Sequence, residues 1–508
     1  MDERKAGEER LSTLFHNVNA VQAVAGSVEG TIGPKGLDTM LVDEEGNVLI
    51  TNDGVTILEE MEVKHPAARM VINIARAQQD KVGDGTTTAT LLASALVTEG
   101  ANQVRRGVPI AKVIAGIQQG VREAAGQLER MALHIDNLDD EKLYHTALIA
   151  GRENEDIARL VMEGAKLIGI DKIFEKDFRL SDLVTACEGA ENEVVPGVLI
   201  HQHPLSKDMP QTVENAKLMI INDALAPEEI DDEALGTERG FQRYLELKEA
   251  YRRNLEKLIA LGINVVVVEK SCDSIAEEFC IDNGIMVLHR VKRTDRERTA
   301  EHTGARMVKR TALNKTVDEL MRFIGKAERI SFDENLRQIR VIKGAGIPAA
   351  TMVIGASTGE VVGERERIAK DAAAAVQASV RGGYLPGGGS AELYVSHHLE
   401  QWRTTLKGME GFGVEAVANA LRRPLSQMIQ NAGFNPLEKV ELIKAAQDEW
   451  GRSSMGLDFD TGQCADMLQE GVVDPALVKI HALKTAGEVS QAILRIHTVI
   501  RMKAGEEN

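Results

Sequence analysis

Cysteine is nearly absent from this chain: Cys187, Cys272, Cys280 and Cys464 are the only four in 508 residues, and no two form a CxxC pair. That spacing excludes a zinc ribbon and a disulfide framework, and leaves the thiols as small buried hydrophobes. Aromatic residues make up only 3% of the chain against 43% hydrophobic residues in all, so a core has to be packed from Ala, Val, Ile, Leu and Met. No run of about 18 apolar residues offers a membrane span. The start, Met1-Asp2-Glu3-Arg4-Lys5, lacks the apolar stretch of a signal peptide, and a cytoplasmic protein is expected. Basic residues are outnumbered 60 to 78, and the net charge of −18 excludes nucleic acid and anionic membrane surfaces as natural partners. A Walker A pattern, internal repeats and low-complexity tracts are missing as well.

What is present points to two or three domains, because 508 residues exceed one ordinary core. Val18, Val21, Val24, Ala25 and Val28 keep helical spacing up to Gly30. A hairpin is predicted from 39–42 and 48–51 around Asp43-Glu44-Glu45-Gly46-Asn47, followed by a tight turn at Asn52-Asp53-Gly54. A second apolar stripe, Ala67, Met70, Val71, Ile74 and Ala75, leads to Gly83-Asp84-Gly85-Thr86-Thr87-Thr88 and a helix over 89–97 that Gly100 should end. Between about 195 and 348, short β-type runs at 217–221, 264–268 and 285–288 alternate with polar helices, which predicts an α/β domain. Residues 227–243 read as a charged surface excursion, with a helix over 244–261. Long helical patterns return after Pro386-Gly387-Gly388-Gly389, at 414–428, 437–447 and 478–500. The two helical ends are expected to form one domain with the middle inserted into it.

The glycine-rich segment at 83–88 carries the sharpest chemistry. Glycines let backbone amides approach an anion, a helix N-terminus adds partial positive charge, and three threonine hydroxyls can donate to phosphate oxygens. Asp84 beside this cradle is a candidate ligand for magnesium, a hard cation that takes one or two carboxylates plus phosphate oxygens. A capped turn between helices is the plain alternative. Thr31-Ile32-Gly33-Pro34-Lys35-Gly36 adds a second glycine turn with a lysine, and Asn52-Asp53-Gly54 is an ordinary turn unless other carboxylates converge on it. Asp371 stands in an alanine-rich helix with Ile368 and Ala375 on its apolar face, where a carboxylate is costly unless a metal or donor meets it. Gly411-Phe412-Gly413 fits a loose dinucleotide pattern but follows no strand and reads as a helix start, and His201-Gln202-His203 reads as a surface pair.

In their order along the chain, Thr31 to Gly36, Thr51-Asn52-Asp53-Gly54, Gly83 to Thr88, the Asp371 helix, Pro386-Gly387-Gly388-Gly389-Ser390-Ala391-Glu392 and Gly456-Leu457-Asp458 resemble the chaperonin family almost end to end. The group II branch, which includes archaeal thermosomes, is the nearer likeness, with the bacterial group III branch also open. The resemblance implies a multidomain α+β and α/β fold. A mostly helical equatorial ATPase domain would come from 1–134 and 389–508, and a small intermediate domain from 135–194 and 349–388. An α/β apical domain would span 195–348 with a helical protrusion at about 225–261. It also implies ATP and Mg2+, with K+ a further candidate; unfolded or partly folded polypeptides as substrates; two stacked rings; and a built-in lid in place of a separate co-chaperonin.

By motif position the resemblance assigns Thr31, Gly33, Pro34, Lys35, Gly85, Thr86, Thr87, Thr88 and Arg152 to the phosphates, and Asp84 to the metal. Gly388, Asp458, Phe459, Val472 and Asp474 fall to the adenosine pocket, and Asp53 and Asp371 to the attacking water. Two positions depart from the family pattern: Arg152 stands where a nucleotide-sensing lysine is usual, and His497-Thr498 replaces an acidic pair. A small-molecule phosphotransferase and a passive holdase are the competing classes. The first would need an acceptor site, which the sequence does not offer, and the second has no use for Asp53, Asp84 and Asp371.

Overall fold

The computed structural model describes residues 2–227 and 238–499. The chain divides into two compact units, one formed by Met1–Met162, Ile173–Ser181 and Ile368–Asn508 and the other by Glu163–Lys172 and Asp182–Arg367.

The first unit is a helical body. Its largest core cluster is contributed by Asp2–Val28, Pro66–Val82, Thr86–Arg105, Ile110–Met131, Ser390–Arg403, Glu410–Leu421 and Ala476–Leu494, filled by Ala, Val, Leu and Ile with almost no aromatic rings, and a smaller one gathers Leu393, Leu425, Ile429, Val440, Ile443 and Leu457. Small side chains bury little area each, so density has to come from close approach of the helices. Glycines supply it. A Cβ on Gly116 would lie 2.0 Å from the Glu410 carbonyl oxygen, and one on Gly413 would lie 2.2 Å from that of Val113, so these helices meet backbone to backbone. The Gly411-Phe412-Gly413 segment therefore starts a helix, as the missing strand suggests, and its glycine serves packing.

Gly100 does not end its helix, which runs on to Arg105. Its Cβ would strike Leu494 Cδ1 at 2.6 Å, so here too the glycine makes room for a neighbour. The expected 414–428 helix is two, Glu410–Leu421 and Arg423–Asn431, because Pro424 cannot donate to the ladder and starts a new helix. The last helix ends at Leu494 and not at residue 500. The hairpin forms as predicted, Thr39–Val42 against Val48–Thr51, with Thr39 opposite Thr51.

The second unit is built on a six-stranded mixed sheet. In spatial order its strands are Gly197–Ile200, Gln338–Gly344, Gly325–Asp333, Thr212–Ile221, Val265–Val268 and Met286–Leu288. The first three contacts are antiparallel and the last two parallel. Val265–Val268 is buried at every position, with Val266 and Val268 in one core cluster and Val265 and Val267 in another, as a strand covered on both faces requires. Of the expected 227–243 excursion, residues 228–237 lie outside the described residues; the following helix starts at Glu238 and runs to Ala260. A smaller sheet pairs Val184–Glu188 and Glu193–Val195 on either side of Thr351–Ala356. All four cysteines are free thiols, with Cys280 buried in the sheet's core. His203 Nδ1 lies 2.9 Å from the Pro204 carbonyl, in keeping with a surface pair.

Candidate active site

The first unit holds every residue assigned to the nucleotide. The Pro66–Val82 helix ends where Gly83 turns left-handed (φ 75°) and donates to the Gln78 and Gln79 carbonyls. One residue later Gly85, also left-handed (φ 80°), opens the Thr86–Arg105 helix, and no side chain caps that end. Two left-handed glycines thus bracket Asp84 and aim an uncapped helix N-terminus outward, the arrangement that suits a phosphate. Gly83 has to lack a Cβ for a second reason: it would meet Ala374 Cβ at 2.5 Å.

Asp84 Oδ1 accepts from its neighbour's Gly85 N–H at 2.6 Å. Burial pushes its carboxyl up to about 6, the Gly85 N–H opposes this, and the charges of Asp474 and Asp53 add to it while Lys479 counteracts them. The charges of Asp53 and Asp474 thus both reach Asp84. Among the described residues no group of three or more His, Cys, Asp or Glu side chains makes a complete metal cage. The donor set fits a hard cation that one carboxylate holds and phosphate oxygens complete.

Asp53 caps the Gly54–Glu60 helix, its Oδ2 accepting from Thr56 N at 3.0 Å and Thr56 Oγ1 at 2.6 Å. Behind it Gly54 presses on the threonines, since a Cβ there would lie 2.4 Å from Thr87 Oγ1 and 3.1 Å from Thr86 Oγ1. The charge of Asp53 is felt at Asp84, and its turn packs on the threonines of the phosphate cradle. Thr88 lies in the same first helical turn.

Asp371 is half-buried on the Gly359–Gly382 helix. Ala374, one turn on and on the same face, is the residue packed against Gly83. Ala372 faces the turn at Gly151, 3.6 Å from where a Cβ would stand. In that turn Arg152 (φ 52°) and Glu153 (φ 60°) are both left-handed, an uncommon state for side chains of this kind. Asn154 Nδ2 closes it by donating to Gly151 O at 2.8 Å and Arg152 O at 3.2 Å.

Thr31 Oγ1 donates to Val28 O at 2.9 Å, and Gly33 (φ 85°) leaves space for Met428, whose Cγ would be 2.7 Å from a Cβ. Pro34 is exposed. Lys35 pairs with Asp460, and that hydrogen bond and charge, with Glu153 and Asp458 beyond, hold its amine above the usual lysine range.

Gly388 (φ 62°) forms a wall with Met467, Phe459 and Val472, whose atoms lie 3.5, 3.8 and 3.9 Å from the place of its missing Cβ. Gly387 N donates to Val472 O at 2.9 Å, and Asp474 faces Leu385 in the short strand pair beside it. Asp458 is engaged by its own turn, accepting from Asp460 N at 2.9 Å and Thr461 Oγ1 at 2.6 Å, which keeps its carboxyl below the usual range.

Sequence reasoning missed a buried group behind the site. Lys479 Nζ lies 2.5 Å from Glu392 Oε1 and 2.8 Å from Asp474 Oδ2. Burial alone would lower the lysine's pKa, but the two carboxylates outweigh it and raise it. Glu392 belongs to the quoted Pro386 to Glu392 motif; its place on the buried face of a helix was the available signal.

Three comparisons with known proteins bear on this geometry. The profile of the TCP-1/cpn60 chaperonin family matches residues 24–504. The thermosome subunit of Pyrococcus horikoshii is 33% identical over 95% of this chain and 90% of its own length, and that of Pyrococcus abyssi 34% over the same shares. A crystal structure of a group III chaperonin in the open state superposes with a TM-score of 0.90 at 45% identity, covering 97% of this chain and all of the other.

Proposed function

Since the chain belongs to the TCP-1/cpn60 chaperonin family, as an ATP-dependent chaperonin with a built-in lid, we propose how its residues divide the work. The uncapped start of the Thr86–Arg105 helix, with the Asp84 carboxylate held on the Gly85 N–H and the Asp53–Gly54 turn packed on Thr86 and Thr87, carries the assignment. Gly85, Thr86, Thr87 and Thr88 bind the phosphates through backbone and hydroxyl donors, aided by Thr31, Gly33, Pro34, Lys35 and Arg152. The lysine exchanges Asp460 for a phosphate oxygen. Gly388, Phe459 and Val472 hold the adenosine, and Asp458 and Asp474 flank it.

Asp84 would hold the magnesium, which would supply charge neutralisation for phosphoryl transfer. Asp53 and Asp371 orient the attacking water, because phosphoryl transfer needs in-line placement and electrostatics more than covalent chemistry. A potassium ion is a further candidate cofactor.

Asp371 sits just past the junction between the two units, which falls inside its helix between Arg367 and Ile368. A continuous helix that spans this junction is suited to transmit hydrolysis to the outer domain. We take 1–134 and 389–508 as the equatorial domain, 135–194 and 349–388 as the intermediate domain, and 195–348 as the apical domain. The lid contains the Glu238–Ala260 helix, and no separate co-chaperonin is needed. Unfolded polypeptides are the substrates, and the subunits form two stacked rings in the cytoplasm. The 45% identity to the group III chaperonin favours that branch.

The test is refolding of a denatured enzyme by intact rings with ATP. Asp371→Ala is expected to assemble and bind ATP yet refold poorly. A full refolding yield from that variant contradicts the assignment.

A further inference from the structure

Gln78 is fully buried on the Pro66–Val82 helix and makes contacts that no part of the phosphate motif accounts for. Its Nε2 donates to the Asp84 carbonyl at 2.8 Å and to the Val478 carbonyl at 3.0 Å. With both amide hydrogens given to carbonyls, the other end has to be the oxygen, and it accepts. The partner is His481 Nδ1 at 2.7 Å, which therefore carries a proton.

The carbonyl held by Gln78 belongs to the Asp84–Gly85 peptide. The N–H of that same peptide donates to Asp84 Oδ1 at 2.6 Å. One peptide plane is thus fixed at both ends, by Gln78 on the carbonyl and by the carboxylate on the N–H. Orienting the plane determines which carboxylate oxygen remains free. The second carbonyl, Val478 O, fastens the same turn to the start of the Ala476–Leu494 helix. There Val478 Cγ1 lies 2.5 Å from where a Cβ on Gly85 would stand, and Lys479 follows with its ties to Asp474 and Glu392.

We propose that Gln78, held by His481, is a positioning residue that sets the Asp84–Gly85 peptide and, through it, the carboxylate oxygen offered to the nucleotide's divalent cation. The inference rests on Asp84 being the metal ligand.

The experiment measures Mn2+ binding to intact ADP-loaded rings by electron paramagnetic resonance, and the half-saturating Mg2+ for hydrolysis at saturating ATP. Gln78→Leu is expected to weaken Mn2+ binding and raise the Mg2+ requirement by about tenfold, the scale on which partners of metal ligands act. ADP binding in the presence of a chelator should change by less than the Mn2+ affinity does, because the hydroxyl and backbone donors of Thr86, Thr87 and Thr88 lie outside the Asp84–Gly85 peptide. His481→Ala is expected to weaken Mn2+ binding in the same direction by about threefold, and His481→Gln, which can again donate to Gln78, to restore it. If Gln78→Leu does not assemble, the two His481 variants decide. Wild-type Mn2+ affinity in Gln78→Leu, or in His481→Ala when Gln78→Leu does not assemble, together with lost affinity in Asp84→Asn, overturns this inference alone. Unchanged affinity in Asp84→Asn overturns the assignment of Asp84 itself.

Discussion

Replacing Lys479 with methionine removes the one cation from a buried group of charges and keeps its length and packing. The side chains of Lys479 and Glu392 are 8% and 4% exposed, and Asp474 is 29% exposed. In the wild type the amine satisfies Glu392 Oε1 and Asp474 Oδ2, while Glu392 Oε2 already lacks a hydrogen-bond partner. Without the amine a carboxylate is left buried with no counter-charge, which costs about 3–5 kcal/mol. Removing the other half of the buried pair as well should restore most of this. Lys479→Met/Glu392→Leu is expected within about 2 kcal/mol of wild type, since a well-packed apolar pair replaces a buried ionic one at little cost and Asp474 is partly solvated. The assay is urea denaturation of intact rings followed by far-UV circular dichroism. The raised lysine pKa contributes stability that is fully present below the ordinary lysine value and lost only as pH rises through the still higher folded value. The lysine's own titration therefore adds no pH dependence to the deficit of the single variant between pH 6 and pH 9. A single-variant cost below about 1 kcal/mol, the level of an exposed ion pair, would refute this reasoning.

Burial raises the Asp84 carboxyl from 3.8 to about 6, so the folded protein holds that proton more tightly and this group's contribution is most favourable below 3.8 and lost as pH rises to 6. Melting-temperature gains on adding Mg2+ and ADP should consequently be larger at pH 7.5 than at pH 5, and equal gains would contradict the shift. Gly116→Val places carbon 2.0 Å from the Glu410 carbonyl oxygen and should lower stability by at least about 1–3 kcal/mol in the same urea assay. Gly388→Val strains a left-handed backbone and crowds Met467 at 3.5 Å, and should raise the KM for ATP by at least about tenfold while rings still assemble in electron micrographs.

Much of this was legible in the residues because local chemistry announces itself. The 83–88 segment combines left-handed turns, hydroxyls and a helix start within a few positions, and the hairpin around Gly46 needs only its own alternation and turn. The strands at 265–268 and 286–288 stood out as short apolar runs. Helix ends were harder, because a glycine that stops a helix and one that admits a neighbour look alike: Gly100 reads as a terminus until Leu494 is placed against it. Least legible were Gln78, His481 and Lys479, ordinary polar residues on helices. Gln78 meets Val478 across 400 positions and His481 across 403, and only the packing of the first and last thirds of the chain creates the network.

The proposed hydrolysis requires carboxylates from three parts of the chain to act on one magnesium-bound triphosphate. A cryo-electron microscopy structure of the closed ring with Mg2+, ADP and aluminium fluoride tests it most directly. Asp84 is expected on the metal, with Asp53 and Asp371 both within hydrogen-bonding reach of the water in line with the fluoride. An Asp371 side chain turned away from that water in the closed ring would contradict it.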